Sequence, residues 1–247
     1  MSADSDTIAR ASALIADARD ICVFSGAGMS AESGIPTFRD ALTGLWAEHS
    51  PEDLATPEGW ARDPDLVWGW YRDRADRLRT VTPNAGHRAL ADLHRNRAAV
   101  GGGVHIVTQN VDDLHERAGS TIVSHLHGDL TTPRCSGCGR RGSPTDMLTE
   151  PRPSCPLCGA SLRPDVVWFG EMLPGDQWAD AERAVDACDL MIVVGTSGVV
   201  HPAAMLPERA AHAGTPIVEV NPDPSAVTAI ADVHVPGTAA AALPRIT

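Results

Sequence analysis

Cys135-x-x-Cys138 and Cys155-x-x-Cys158 form two pairs separated by 16 residues. That spacing lies within the range of a zinc ribbon. Gly137, Gly139 and Gly159 adjoin the pairs and permit the tight turns that aim two thiolates at one ion. Four thiolates complete a tetrahedral shell and leave no position for water, so the expected Zn2+ is structural rather than catalytic. A redox pair and an iron–sulfur cluster are the competing readings of the same spacing. The remaining cysteines, Cys22 and Cys188, read as small buried hydrophobes.

A second group of chemistry-bearing residues is the run Gly26-Ala27-Gly28-Met29-Ser30-Ala31-Glu32-Ser33-Gly34, directly after an apolar stretch. Glycines there allow a tight turn and close approach of backbone to a pyrophosphate. Gly34 falls too late for a strict G-x-G-x-x-G, and a plain strand-to-helix turn accounts for the run equally well. A third group is Gln109-Asn110-Val111-Asp112, followed by His127. Amides and a carboxylate of this kind hold ribose hydroxyls and a carboxamide through paired hydrogen bonds. A histidine beside a ribose accepts a hydroxyl proton near neutral pH. His125 competes with His127 for that role among the ten histidines.

These groups need elements to position them. Ile21–Phe24, Val104–Val107, Ile122–Val123, Leu190–Val194 and Ile217–Val220 are short apolar runs that break into small or polar residues. Helix-length segments at 84–98, 176–188 and 202–213 lie between them. The N-terminal segment carries Ile8, Ala11, Leu14, Ile15 and Ala18 at helical period, with Ser5 or Asp6 expected as its N-cap. The alternation predicts an α/β fold with a parallel sheet covered on both faces. Ligands bind beyond the carboxyl ends of such strands, where the polar residues fall. Segments 37–80 and 129–163 interrupt the pattern and are expected to form a smaller domain, a helical module plus a four-cysteine zinc module. Segments 1–36, 81–128 and 164–247 are expected to form a Rossmann-type domain.

Of the 247 residues, 43% are hydrophobic and 21% charged, enough for a sizeable core. The net charge of −12 argues against a nucleic-acid binder but suits basic protein tails. No apolar run reaches the ~20 residues of a membrane span. The acidic N-terminus does not read as a signal peptide, so no membrane association and a cytoplasmic location are expected.

Taken together, the residues resemble those of a sirtuin, the NAD-dependent protein-lysine deacylases. The matching stretches are Gly26–Ser30 through Pro36-Thr37-Phe38-Arg39, Thr108–Asp112, His127-Gly128, the two cysteine pairs, Val166–Glu171, Gly195-Thr196-Ser197 and Val220-Asn221-Pro222. They occur in family order over about residues 21–243, and the short tails suit a bacterial form. The resemblance implies that NAD and an acyl-lysine protein or peptide lie between a Rossmann-type domain and a zinc-bearing one. It places Gly26, Ala27, Gly28 and Ser30 at the pyrophosphate, and Phe38 and Arg39 in the cofactor-binding loop. Gln109, Asn110 and Asp112 are placed at the nicotinamide and its ribose. Gly195, Thr196, Ser197 and Asn221 are placed at the adenosine half, and Ala239 at the adenine. The segment Arg39–Trp46 is a residue longer than the commoner loop, which leaves the alignment of 40–44 open. His127 is the implied general base and Asn110 its catalytic companion. Val166, Val167 and Phe169 are implied to hold the substrate peptide as an added strand. The implied products are lysine, nicotinamide and O-acyl-ADP-ribose.

Tyr71 is the sole tyrosine, and Arg74 follows three residues on, the same face if the segment is helical. A phenol beside a guanidinium makes a carboxylate site. With Ala55 in Asp53–Pro57, the pair resembles the class III sirtuin subgroup that removes succinyl and malonyl groups, deacetylation persisting as a second activity. The competing reading makes Arg72, Arg74, Arg77 and Arg79 one solvated face paired with Asp73 and Asp76. A deacetylase, an NAD-dependent protein ADP-ribosyltransferase and a non-catalytic NAD sensor are the alternative functions. Nothing in the sequence sets the oligomeric state, and a monomer is compatible with it.

Overall fold

The computed structural model describes residues 3–35 and 49–247. In chain order the elements are α1 (Ala3–Asp17), β1 (Asp20–Ser25), α2 (Pro51–Leu54), α3 (Pro57–Arg62), α4 (Pro64–Thr80), α5 (Ala85–Ala98) and β2 (Gly103–Thr108). They continue with α6 (Leu114–Ala118), β3 (Val123–His125), β4 (Gly128–Cys135), β5 (Leu162–Val166), α7 (Gly175–Ala187) and β6 (Leu190–Val194). The last are α8 (Met205–Ala213), β7 (Ile217–Asn221), β8 (Val233–Pro236) and α9 (Ala239–Ile246).

Six strands form one parallel sheet in the order β3-β2-β1-β6-β7-β8. The chain builds outward from β1 in one direction and then from β6 in the other. The β1/β6 boundary is therefore the topological switch point, where a Rossmann-type sheet opens a crevice beyond its carboxyl ends. Alternation along each strand feeds both faces. Ile21, Val23, Leu190, Ile192 and Val194 enter one buried cluster with α1, α5 and α9. Cys22, Phe24, Met191 and Val193 enter a second with α7 and α8. The apolar runs are continuous because both faces are covered.

β4 and β5 pair antiparallel in a separate two-stranded sheet. A third buried cluster joins them to the helical segment: Leu54, Ala55, Trp70, Tyr71, Leu130, Met147, Val166 and Trp168 pack together. β5 runs through residue 164, where the sequence placed a boundary, because Val166 and Trp168 bury against α4 rather than against the large sheet.

One local expectation is corrected, and one strand was not anticipated. α1 begins at Ala3, so Ser5 and Asp6 lie in its first turn rather than capping it. An acidic side chain there is favourable near the positive helix end and does not require a cap position. β8 escaped sequence reading because Val233-His234-Val235-Pro236 is too short to show a period. No helix among the described residues is long and apolar enough to cross a membrane.

Candidate active site

The loops after β1 and β6 interlock at the switch point. Gly26 donates its N–H to Val194 O at 3.0 Å, and Gly28 donates to Gly195 O at 2.8 Å. Gly195 holds φ +61°, and a Cβ there would stand 2.4 Å from the Met29 nitrogen. A Cβ on Gly28 would stand 2.7 Å from Gly195 Cα. These glycines are required first by the closeness of the two loops. Ala27 is exposed at the turn, while Gly26 is buried. Thr196 ties the ends of three strands together: Gln109 Nε2 donates to its hydroxyl at 2.9 Å, and Asn221 Nδ2 donates to its carbonyl at 3.1 Å. Ser197 is exposed beside it. Ala239 is buried at the start of α9, its carbonyl packed against Gly86 so closely that a Cβ there would sit 2.7 Å away.

Ser30 is buried and its hydroxyl is saturated. It donates to Asp112 Oδ2 at 2.9 Å and accepts from Asn110 Nδ2 at 3.2 Å and His87 Nε2 at 3.4 Å. His87 Nδ1 accepts the Asn84 N–H, which leaves the proton on Nε2. The Ser30 side chain therefore organises Asn110 and Asp112. Asp112 also accepts the Leu114 N–H at 3.2 Å. Burial holds its carboxyl above the usual range, opposed by the bonds from Ser30 and Leu114 and by the nearby His125. Beneath lies Ser25, which donates to Thr108 Oγ1 at 2.9 Å and meets His115 Nε2 at 3.1 Å. Burial pushes His87 down to about 4 and His115 well below its ordinary value, so both are neutral.

The two competing histidines sit on alternate positions and grip successive carbonyls. His127 Nδ1 lies 2.9 Å from Gln109 O, and His125 Nδ1 lies 3.1 Å from Asn110 O. A carbonyl only accepts, so each Nδ1 carries the proton. His125 spends its other nitrogen on Glu116 Oε1 at 2.7 Å. No described residue bonds His127 Nε2, which is left as a lone pair. Burial holds His127 below the ordinary histidine value, against the pull of the Gln109 carbonyl. A neutral ring with a free Nε2 is a competent base at neutral pH.

Beside this centre lies a second feature. Tyr71 and Arg74 share α4; Tyr71 is buried and Arg74 half-buried. Trp168 Nε1 donates to Tyr71 Oη at 3.2 Å. The phenol's own proton is thereby directed elsewhere. Arg74 packs its guanidinium 4.7 Å from the Trp70 ring centroid. Its Nε and Nη1 are buried without a hydrogen-bond partner among the described residues. Burial lowers the Arg74 pKa, with Tyr71 and Asp112 opposing, so the guanidinium lies within electrostatic reach of the Asp112 carboxylate. Arg72, by contrast, pairs with Glu150, and Arg79 with Asp76 at 3.4 Å. The solvated-face reading thus holds for its neighbours but not for Arg74.

Ala55 is buried, and its carbonyl accepts the Phe169 N–H at 2.9 Å. Val167 donates to His127 O at 2.9 Å, and Trp168 N–H goes to Glu171 Oε2 at 2.9 Å. The Val166 carbonyl accepts from Arg163 Nη2 at 3.0 Å. The amides of Val167 through Phe169 are therefore committed inside the chain. The Trp168 carbonyl likewise accepts the Glu171 N–H at 2.9 Å.

Cys135, Cys138, Cys155 and Cys158 place their sulfurs within 4.8 Å of one another. Cys135 and Cys158 Sγ are 3.4 Å apart, and Cys138 and Cys155 Sγ 3.8 Å. Zn–S bonds of ~2.3 Å in a tetrahedron put sulfurs ~3.8 Å apart, so the four fit one zinc ion. The cluster lies at the ends of β4 and β5, away from His127.

The structure thus brings Gly26, Gly28, Ser30, Gln109, Asn110, Asp112, His127, Gly195, Thr196 and Asn221 to the carboxyl ends of the sheet. Tyr71, Arg74, Ala55 and Trp168 gather on the adjoining side. Phe38, Arg39 and the 40–44 loop lie outside the described residues. Sequence reasoning missed His87 and His115 and gave no role of their own to Ser25 and Thr108, because these roles are contacts across distant elements. His87 alone left a signal, three residues after Asn84 in a helix-capping position.

A family profile described as the Sir2 family matches residues 26–202. The chain is 49% identical over 233 residues to a protein of Pyrobaculum aerophilum named NAD-dependent protein deacylase 2, covering 94% of this chain and 92% of that one. It is 52% identical over 219 residues to NAD-dependent protein deacylase 1 of Pseudomonas aeruginosa, covering 85% and 86%. Among solved structures, a Sir2 homologue–NAD complex superposes with TM-score 0.88 at 45% identity, covering 96% of this chain and 91% of that one. A Sir2 protein bound to a myristoylated histone peptide superposes at 0.78 with 34% identity, covering 98% and 95%.

Proposed function

This chain belongs to the Sir2 family, and on that premise we propose that its NAD-dependent deacylation of protein lysine favours succinyl and malonyl groups, acetyl being a secondary substrate. The observation that supports the preference is Arg74. Its guanidinium is half-buried, but Nε and Nη1 are fully buried with no partner among the described residues, which is expensive to maintain unless a ligand satisfies them. Tyr71 offers a second donor, because its oxygen already accepts from Trp168. A guanidinium fork and a phenol proton side by side match a carboxylate at the end of an acyl chain. Ala55, small and buried nearby, leaves room for that chain.

The strand-end residues suit NAD by their chemistry: amides at Gln109, Asn110 and Asn221, a hydroxyl at Thr196 and a carboxylate at Asp112. In this reading Gln109, Asn110 and Asp112 hold the nicotinamide half. Gly195, Thr196, Ser197, Asn221 and Ala239 hold the adenosine half. When bound, NAD supplies the ribose carbon to which the acyl oxygen passes as nicotinamide leaves. His127 takes up a proton at Nε2, while the Gln109 carbonyl holds its ring in that tautomer. Asn110, anchored through Ser30, orients the reacting groups. Val167 and Phe169 align the peptide. Four cysteines set to hold zinc and two left as thiols, none in a disulfide, fit a reducing, cytoplasmic compartment.

The test is incubation with NAD and matched acetyl- and succinyl-lysine peptides, with products read by mass spectrometry. Preference for the succinyl peptide supports the reading. Preference for acetyl reduces Tyr71 and Arg74 to scaffold, and labelled ADP-ribose left stably on protein indicates transfer instead.

A further inference from the structure

His125 is not needed as a base, yet it is one of the most heavily engaged side chains beside the site. Its backbone N–H donates to Gln177 Oε1 of α7 at 3.0 Å. Its Nδ1 meets the Asn110 carbonyl at 3.1 Å, and its Nε2 meets Glu116 on α6 at 2.7 Å. One ring therefore joins β3, the loop after β2 and α6. We propose that His125, held by Glu116, is a positioning residue for NAD: it fixes the Asn110 main chain and faces the buried Asp112 carboxylate with the ring's charge.

The geometry demands a proton on both nitrogens. Nδ1 opposes a carbonyl and Nε2 opposes a carboxylate, and neither partner can donate. Only an imidazolium makes both bonds. The charged and titratable groups around the ring favour that state on balance. Glu116 faces it from α6, Asp129 from β4 and Asp112 from the loop after β2, while the neutral His115 sits behind. Burial opposes the charge, but the Glu116 bond and its field, then the Asn110 carbonyl and Asp129, carry the His125 pKa above its ordinary value. His127, two residues on, has no carboxylate partner and is shifted down. The two histidines thus divide the work, one as a neutral base and one as a fixed cation. Losing the His125 proton breaks one of its two bonds, releasing either Asn110 or α6, and removes the charge next to Asp112.

The proposal rests on Asn110 and Asp112 serving NAD. The experiment follows KM for NAD and kcat between about pH 6 and 9 in wild type, Glu116→Gln, His125→Gln and His125→Asn. Glu116 is partly exposed, so its replacement by Gln is tolerated by the fold. In wild type KM for NAD rises on the alkaline side as His125 deprotonates. Glu116→Gln moves that rise to lower pH by about one unit, since the stabilising carboxylate is gone. His125→Gln, which reaches Glu116 but not Asn110, raises KM for NAD roughly tenfold. His125→Asn, whose amide nitrogen stands where Nδ1 stood, recovers part of that loss. A Glu116→Gln profile superimposed on wild type, or His125→Asn no better than His125→Gln, overturns the proposal, even where melting temperatures fall. Asn110→Ala is measured alongside. Unchanged NAD binding in that variant sinks the site assignment itself, whereas weakened binding with an unmoved Glu116→Gln profile sinks only the role of His125.

Discussion

The indole N–H of Trp168 donates to the phenol oxygen of Tyr71 across 3.2 Å, joining residues 97 positions apart. This bond decides which way the phenol can act. With its oxygen accepting from Trp168, its proton is offered away from the indole, and the Arg74 guanidinium, close enough to act on the phenol, keeps two buried nitrogens without a partner among the described residues. Burial pushes Tyr71 up to about 12, so the proton is present throughout the working pH range. Trp168 is itself held from the other face by Arg163, whose guanidinium lies 3.4 Å from the ring centroid and pairs with Glu171 at 2.6 Å.

Arg74→Met is expected to lose desuccinylation selectively. A charge-assisted contact is worth on the order of 1.5–3 kcal/mol, or roughly ten- to 150-fold in kcat/KM for the succinyl peptide. Deacetylation should be retained, and the melting temperature should rise, because a half-buried cation with two buried nitrogens unpartnered among the described residues has been replaced by an apolar chain. Equal loss of both activities, with a lower melting temperature, would mean that Arg74 supports the fold.

Trp168→Phe retains the ring but removes the donor to Tyr71. The phenol proton then has no fixed direction, and kcat/KM for the succinyl peptide should fall by about 1 kcal/mol more than for the acetyl peptide. Identical effects on the two peptides would show that Trp168 only fills the cluster it shares with Ala55 and Val166.

His127→Ala should bind NAD in calorimetry and turn over about 100-fold more slowly or worse, the usual contribution of a general base. In the wild type, burial depresses the His127 pKa, so the ring remains neutral down to below the ordinary value of ~6.5. The acid limb of the rate profile should therefore lie below that pH. A limb above pH ~7 would point to a different base.

Stripping zinc with a strong chelator should lower the melting temperature and abolish both deacylase activities. Cys135 and Cys155 belong to the same buried cluster as Ala55, Tyr71 and Trp168, so metal-coupled folding of the ribbon reaches the acyl-binding side. An apo protein with unchanged melting and activity would contradict this coupling.

Stability should fall on the acid side through His87. Its value of about 4 in the folded chain lies below the ordinary ~6.5, so the unfolded chain takes up the proton first. Stability is then fully present above pH ~6.5 and declines towards pH 4, by up to ~1.4 kcal/mol per pH unit for this one group. His115, depressed by the same burial, adds to the slope. Urea melts across that window check it, and a flat profile would be incompatible with two buried neutral histidines.

What could be read from the chain alone was what depends on near neighbours. Two Cys-x-x-Cys turns aim their sulfurs locally, and four of the five apolar runs broke into polar residues at what are strand ends, the fifth breaking inside β3, because alternation and chain breaks are properties of short segments. Tertiary structure decided the rest. Gly28 reads as part of a phosphate cradle and Gly195, by resemblance, as part of an adenosine site, but the first demand on both is the approach of two loops from strands that meet only in the sheet. His125 and His127 are indistinguishable by spacing; carbonyls from the loop after β2 and a carboxylate from α6 separate the cation from the base. Arg72, Arg74 and Arg79 are alike in sequence, and only the packing of α4 against β4 and β5 leaves one of them with buried nitrogens that have no partner among the described residues. Charge state and hydrogen-bond supply depend on what the fold brings within a few ångströms, and no local pattern records that.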